Sequence, residues 1–123
     1  MSDVLMLSHA DVHAALAPEA CERAMAEVLI AQSTGAAYAP LRSVMIAQGA
    51  SGFMGLMPAY AAGDQRPTFA LKAICLMPGN PARGLDAHQG IVTLFDGDTG
   101  IPTAILNASA VTEIRTAAVT VVH

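Results

Sequence analysis

Three strand-length apolar runs stand close together in the chain, and the first contains a lysine. Phe69-Ala70-Leu71-Lys72-Ala73-Ile74-Cys75-Leu76-Met77 is followed by a Pro/Gly/Asn-rich loop, Pro78–Gly84. His88–Phe95 and Ile101–Asn107 then flank the turn Asp96-Gly97-Asp98-Thr99-Gly100. Runs of this length, separated by turn residues, read as strands joined by tight connections, the second pair as a hairpin. A charged amine in so apolar a strand is costly unless its charge is paired or used. Lys72 therefore constrains both the fold and the chemistry of the chain.

The remaining elements arrange themselves around that core. Val4–Leu7 reads as a short opening strand. Ser8, with Asp11 three residues on, approaches a capping box for a short helix carrying Val12, Ala15 and Leu16. Pro18 suits the first turn of a second helix. In it Cys21, Ala24, Met25, Val28 and Leu29 form one apolar stripe at helical spacing, and Gly35 is a plausible stop. Leu41–Ala47 and Phe53–Pro58, separated by Gln48–Gly52, form a first hairpin. From Ser109 onward the pattern is helical again, with Ser109 or Asn107 as the candidate N-cap, and no Gly or Pro stop precedes His123. The expected fold is α+β. Two N-terminal helices pack on a mixed, mostly antiparallel sheet, and a terminal helix follows.

Charge separates the function classes. Only 13% of residues are charged, against 54% hydrophobic, and the net charge is −4. A usual soluble domain has about 25% charged residues, so an apolar face is expected to await a second copy or a further domain. The acidic balance argues against nucleic acid. No apolar run approaches the roughly 20 residues of a membrane-spanning helix, and Met1–Val4 has no signal-peptide pattern. Cys21 and Cys75 lie in apolar runs and read as buried, reduced thiols, as in a cytoplasmic protein.

Arg42, Lys72 and Arg115 are three of only six Lys and Arg residues, each in an otherwise apolar element. An arginine fork matches a carboxylate at two points, and a lysine offers a tunable point charge. A pocket for an amino- or keto-acid carboxylate needs such cations; equally, each can pair with one of the ten acidic residues or reach solvent. Thr112–Ala118 opens a helix, where anions are favoured. His9 and His13 are spaced i, i+4, but no third ligand follows at a useful spacing, so no metal site is expected. The chain has neither G-x-G-x-x-G nor a P-loop, and no nucleophile-elbow motif.

Taken in order, these residues resemble the ornithine cyclodeaminase/mu-crystallin family. The matching pieces are Leu5–Ser8, Leu41-Arg42, Gly52-Phe53-Met54 with Met57–Tyr60, Leu71-Lys72, Pro78–Leu85, Gln89-Gly90, Leu94–Asp96 with Thr99-Gly100, and Arg115–Ala118. The resemblance implies the incomplete substrate-binding and dimerisation domain, over residues 1–123, of an NAD(P)-dependent oxidoreductase acting on imino or amino acids. A Rossmann domain and a C-terminal return segment would lie beyond it, and the isolated chain would be inactive. The resemblance makes Lys72 the active-site lysine and Arg42 and Arg115 the carboxylate-gripping arginines. It sets Gln89 toward the substrate and Thr116 toward the cofactor. Ornithine-specific members carry a Glu where this chain has Gly55, which argues against ornithine as substrate. The alternatives are a non-catalytic dimerisation or ligand-binding module and an inactive fragment.

Overall fold

A computed structural model of the chain describes residues 4–15, 37–62 and 67–113. The expected helix over 18–34, Cys21, Arg115 and Thr116 lie outside the described residues. The described elements form one mixed sheet of seven strands with helical segments on one face. The strands are β1 (Leu5–Leu7), β2 (Ala37–Tyr38), β3 (Ser43–Met45), β4 (Phe53–Ala61), β5 (Thr68–Leu76), β6 (His88–Asp96) and β7 (Pro102–Asn107). Their order is β1-β7-β6-β5-β4-β2, with β3 also on β4. Only β1 runs parallel to its neighbour, β7; every other pair is antiparallel. The α+β class and the mostly antiparallel sheet are as the sequence predicts.

Strand β4 runs three residues past Pro58, where the sequence reading ends it. On the edge of β4 away from β5, β3 pairs with 54–56 and β2 with 60–61. Residues 57–59 face the break between those two pieces. Pro58, at the middle of this stretch, has no N–H to give a ladder, and Pro40 in the break has none either. The interrupted edge thus accommodates a proline inside a long strand. Leu41 and Arg42 lie in the break, with Leu41 almost fully exposed.

Helix α1 (His9–Ala15) opens with the reciprocal bonds foreseen from sequence. The Ser8 N–H donates to Asp11 Oδ2 at 3.0 Å, and the Asp11 N–H donates to Ser8 Oγ at 3.2 Å. The terminal helix, described over 108–113, is capped by Asn107, whose Oδ1 accepts the Ala110 N–H at 2.9 Å. Val12 and Ala110 are buried against each other, with Leu7, Leu106 and Val111 packed around them. This small core joins both helical segments to one face of β1 and β7.

The long connections are closed by local chemistry. Between β5 and β6, Asn80 is buried; its Nδ2 donates to the Asp86 carbonyl, and its own carbonyl accepts from Arg83 and Leu85 N–H groups. A 3-10 turn (Pro81–Arg83) ends on Gly84 at φ 74°, a left-handed conformation that glycine adopts without strain. In the β6–β7 turn, Asp96 Oδ1 accepts the N–H groups of Asp98 and Thr99, an Asx-type closure.

Candidate active site around Lys72

Strand pairing places Lys72. Met57, Lys72, Val92 and Leu106 are successive partners across β4, β5, β6 and β7. Directly paired residues share a face of a sheet, so Lys72 stands in an apolar row. Leu7, paired with Leu106, continues that row beneath α1. The lysine therefore faces the side on which the helical segments pack. Its Nζ donates to Thr112 Oγ1 on the terminal helix at 2.7 Å, in a half-buried contact. That length is typical of a charge-assisted bond, and it meets the cost of placing the ammonium among Met57 and Val92.

Arg42 approaches the same row from the sheet edge. It precedes Ser43, which pairs with Leu56, the neighbour of Met57. Arg42, just before β3, and Lys72, on β5, thus lie on either side of β4. Arg42 is exposed. Arg115 follows Thr112 by three residues in sequence and lies outside the described residues.

Two residues along the strands, Gly55, Ile74 and Gly90 form the neighbouring row on this face. A Cβ on Gly90 would overlap the Ala73 carbonyl oxygen and come within 2.8 Å of Ile74 Cα. Gly90 is required for β5 and β6 to approach here. At Gly55 a Cβ would meet the Ile74 side chain at 3.4 Å and the end of Met57 at 3.7 Å, ordinary contacts. There is thus room for a Cβ at Gly55 on the Lys72 face, where this chain carries no side chain.

His88 opens β6 opposite Leu76, further along the same face. The Ser109 hydroxyl donates to the His88 carbonyl at 2.9 Å, and Ser109 Oγ lies 3.2 Å from His88 Nδ1. With its only proton on the carbonyl, that hydroxyl accepts from the ring, which puts a proton on Nδ1. Gln89 is not brought to Lys72. Strand alternation sets it on the opposite face from His88, and its Nε2 donates to the Asp86 carbonyl at 3.0 Å. It braces the loop end. Cys75 is a free, half-buried thiol on that other face.

Sequence reasoning missed three partners. Thr112 and Ser109 read only as parts of a helix start. Glu113 gave no sign that it would meet His9 and His13, about a hundred residues away. Its Oε2 lies 3.0 Å from His9 Nε2 and 2.9 Å from His13 Nε2. His13 first, and His9 to a smaller extent, hold the Glu113 carboxyl below its ordinary range against a weaker opposing push from desolvation. A residue pairing of this separation has no periodic signature.

The comparisons with known proteins assign the class. The profile described as "Ornithine cyclodeaminase/mu-crystallin family" matches residues 2–123. The chain belongs to that family, as the ordered motifs implied. It is 35% identical over 120 residues to a Delta(1)-pyrroline-2-carboxylate/Delta(1)-piperideine-2-carboxylate reductase of Azospirillum brasilense, covering 98% of this chain and 37% of that protein. The fold superposes with a TM-score of 0.85 and 26% identity on Delta(1)-pyrroline-2-carboxylate reductase of Thermococcus litoralis, solved with NADH and L-proline, covering 95% of this chain and 36% of the other. An archaeal alanine dehydrogenase dimer with bound NAD gives a TM-score of 0.85 at 27% identity, covering 94% and 34% of the two chains. The chain therefore spans about a third of the length of these relatives.

Proposed function

We propose that this chain is the substrate-gripping part of an NAD(P)-dependent reductase of cyclic imino acids, or of a related amino-acid dehydrogenase. The observation that carries the reading is Lys72, held by Thr112 in the apolar row beneath the terminal helix. Arg42, across β4, and Arg115, three residues after Thr112 in sequence, would grip the substrate carboxylate. Lys72 would move a proton at the substrate nitrogen as the C=N bond is reduced to C–N. Partial burial sharpens the charge interactions of Lys72. Gly55 itself offers no acidic partner for a second amino group, and a simple cyclic imine needs none there.

The residues described here do not suit a dinucleotide's phosphates. Among them there is no glycine-rich strand–turn–helix, and the 78–87 loop spends its carbonyls and N–H groups on itself. Hydride would come from a nicotinamide held by other parts of the protein, with Thr116 the proposed contact from this chain. The 123 residues alone would then be inactive.

The same reading makes the other sheet face a dimer interface. Met6, Met45, Leu56, Phe69 and Ile91 all project from it and are all exposed. An acidic, charge-poor chain gains by covering such a face with a second copy.

The test is steady-state reduction of Delta(1)-pyrroline-2-carboxylate by this chain joined to the nucleotide-binding and C-terminal parts characteristic of its family. NAD(P)H oxidation that depends on the imine, and no ammonia release from ornithine, is the expected result. Ornithine turnover with no imine reduction would contradict the reading.

A further inference from the structure

A second cluster stands apart from Lys72, on the exposed seam between α1 and the terminal helix. His9 and His13 are one turn apart on α1, with ring centroids 4.7 Å apart. Residues at i and i+4 share a helix face, so both rings can turn the same nitrogen outward. Both Nε2 atoms converge on one oxygen of Glu113, and the three ligand atoms lie within 4.8 Å of one another. All three side chains are about half exposed, at 51%, 42% and 51%.

We propose that His9, His13 and Glu113 form a binding site for a divalent transition-metal ion, with Zn2+ the best match. Two imidazoles and a carboxylate are borderline donors, suited to zinc and poorly suited to calcium or magnesium. Zinc bonds of roughly 2.0–2.2 Å at tetrahedral angles put ligand atoms about 3.3 Å apart. The two nitrogen–oxygen separations, 2.9 and 3.0 Å, need to open by a few tenths of an ångström, and the two Nε2 atoms, within 4.8 Å of each other, need to reach the same spacing. Exposed side chains make that adjustment by small rotations. The ionised Glu113 carboxylate offers the negative charge, and water fills the fourth position.

Without metal, the same atoms form a hydrogen-bonded His–Glu–His clamp. With metal, the clamp becomes a bridge between α1 and the helix that carries Thr112. Glu113 is the residue after Thr112, so the ion would brace the turn that supports Lys72. The site is independent of the proposed activity and can be tested on the chain as it stands.

The experiment is a calorimetric titration of the chelator-stripped 123-residue chain with Zn2+ alone. One equivalent should bind, and His13→Ala and Glu113→Gln should each weaken it at least tenfold; even supporting residues around metal ligands are worth about 10- to 100-fold. Circular dichroism of both variants in chelator should match that of the parent, because the side chains are exposed. Zn2+ should raise the melting midpoint of the parent and leave that of the variants in place. Co2+ should give a d–d spectrum without thiolate charge transfer, which separates this site from Cys75. No saturable Zn2+ binding by the parent would overturn the proposal. So would binding that both variants retain undiminished, or a thiolate band with Co2+.

Discussion

Lys72 is the residue on which the account turns, and its environment explains how the charge is tolerated. Thr112 supplies one polar partner at 2.7 Å, and the apolar row around it limits water. Thr112→Val would leave the ammonium without that partner. It should destabilise the chain by about 1.5–3 kcal/mol, the usual worth of a hydrogen bond to a charged group, measured as a lower urea midpoint. A second residue-scale prediction concerns Asp11. The Ser8 backbone N–H first, then the Ser8 hydroxyl, hold its carboxyl below the ordinary aspartate range. A group depressed in the folded state contributes stability above its unfolded value and loses it as pH falls through the folded one. The capping contribution should thus persist at mildly acidic pH and fade only below the ordinary Asp range. Ser8→Ala should move the Asp11 titration, followed by carboxyl NMR shifts, upward; an unchanged curve would show that the Ser8 hydroxyl does not act on Asp11.

At the scale of elements, strand pairing and the helix caps do the positioning. Gly90 sets the closeness of β5 and β6. Gly90→Ala should cost about 1–3 kcal/mol by forcing backbone and side chain apart, whereas Gly55→Ala, with only ordinary contacts at 3.4 and 3.7 Å, should cost clearly less. Comparing the urea midpoints of the two variants checks the register directly. Much of this level was legible in the sequence, because β5, β6 and β7 are apolar runs bounded by Pro, Gly, Asn and Asp, and Ser8-x-x-Asp11 is a local capping signal. β2 was not legible: two residues carry no periodicity, and Ala37–Tyr38 pairs with β4 only through tertiary context. The extension of β4 past Pro58 was hidden for a related reason. A proline argues locally against a strand, and only the break in the neighbouring edge removes the objection. Lys72 stood out in the sequence because it is a charge in an apolar strand. The neutral partners at the site did not, because Thr112 and Ser109 look like any helix start.

For the whole molecule, the two faces of the sheet divide the work. One carries Lys72 and the helical segments; the other presents exposed apolar side chains, the surface proposed above to meet a second copy. Ile91→Lys should shift a dimer toward monomer in sedimentation, without changing the environment of Lys72 on the opposite face. Unchanged sedimentation would place the interface elsewhere. The measurement that bears most directly on the central claim is turnover of Delta(1)-pyrroline-2-carboxylate by the family-length protein, with Lys72 and with Lys72→Ala. The account predicts a loss of at least a hundredfold in kcat, the scale of a positioned acid–base group, with sedimentation unchanged. Full turnover by Lys72→Ala would contradict it and reduce Lys72 to a structural cation.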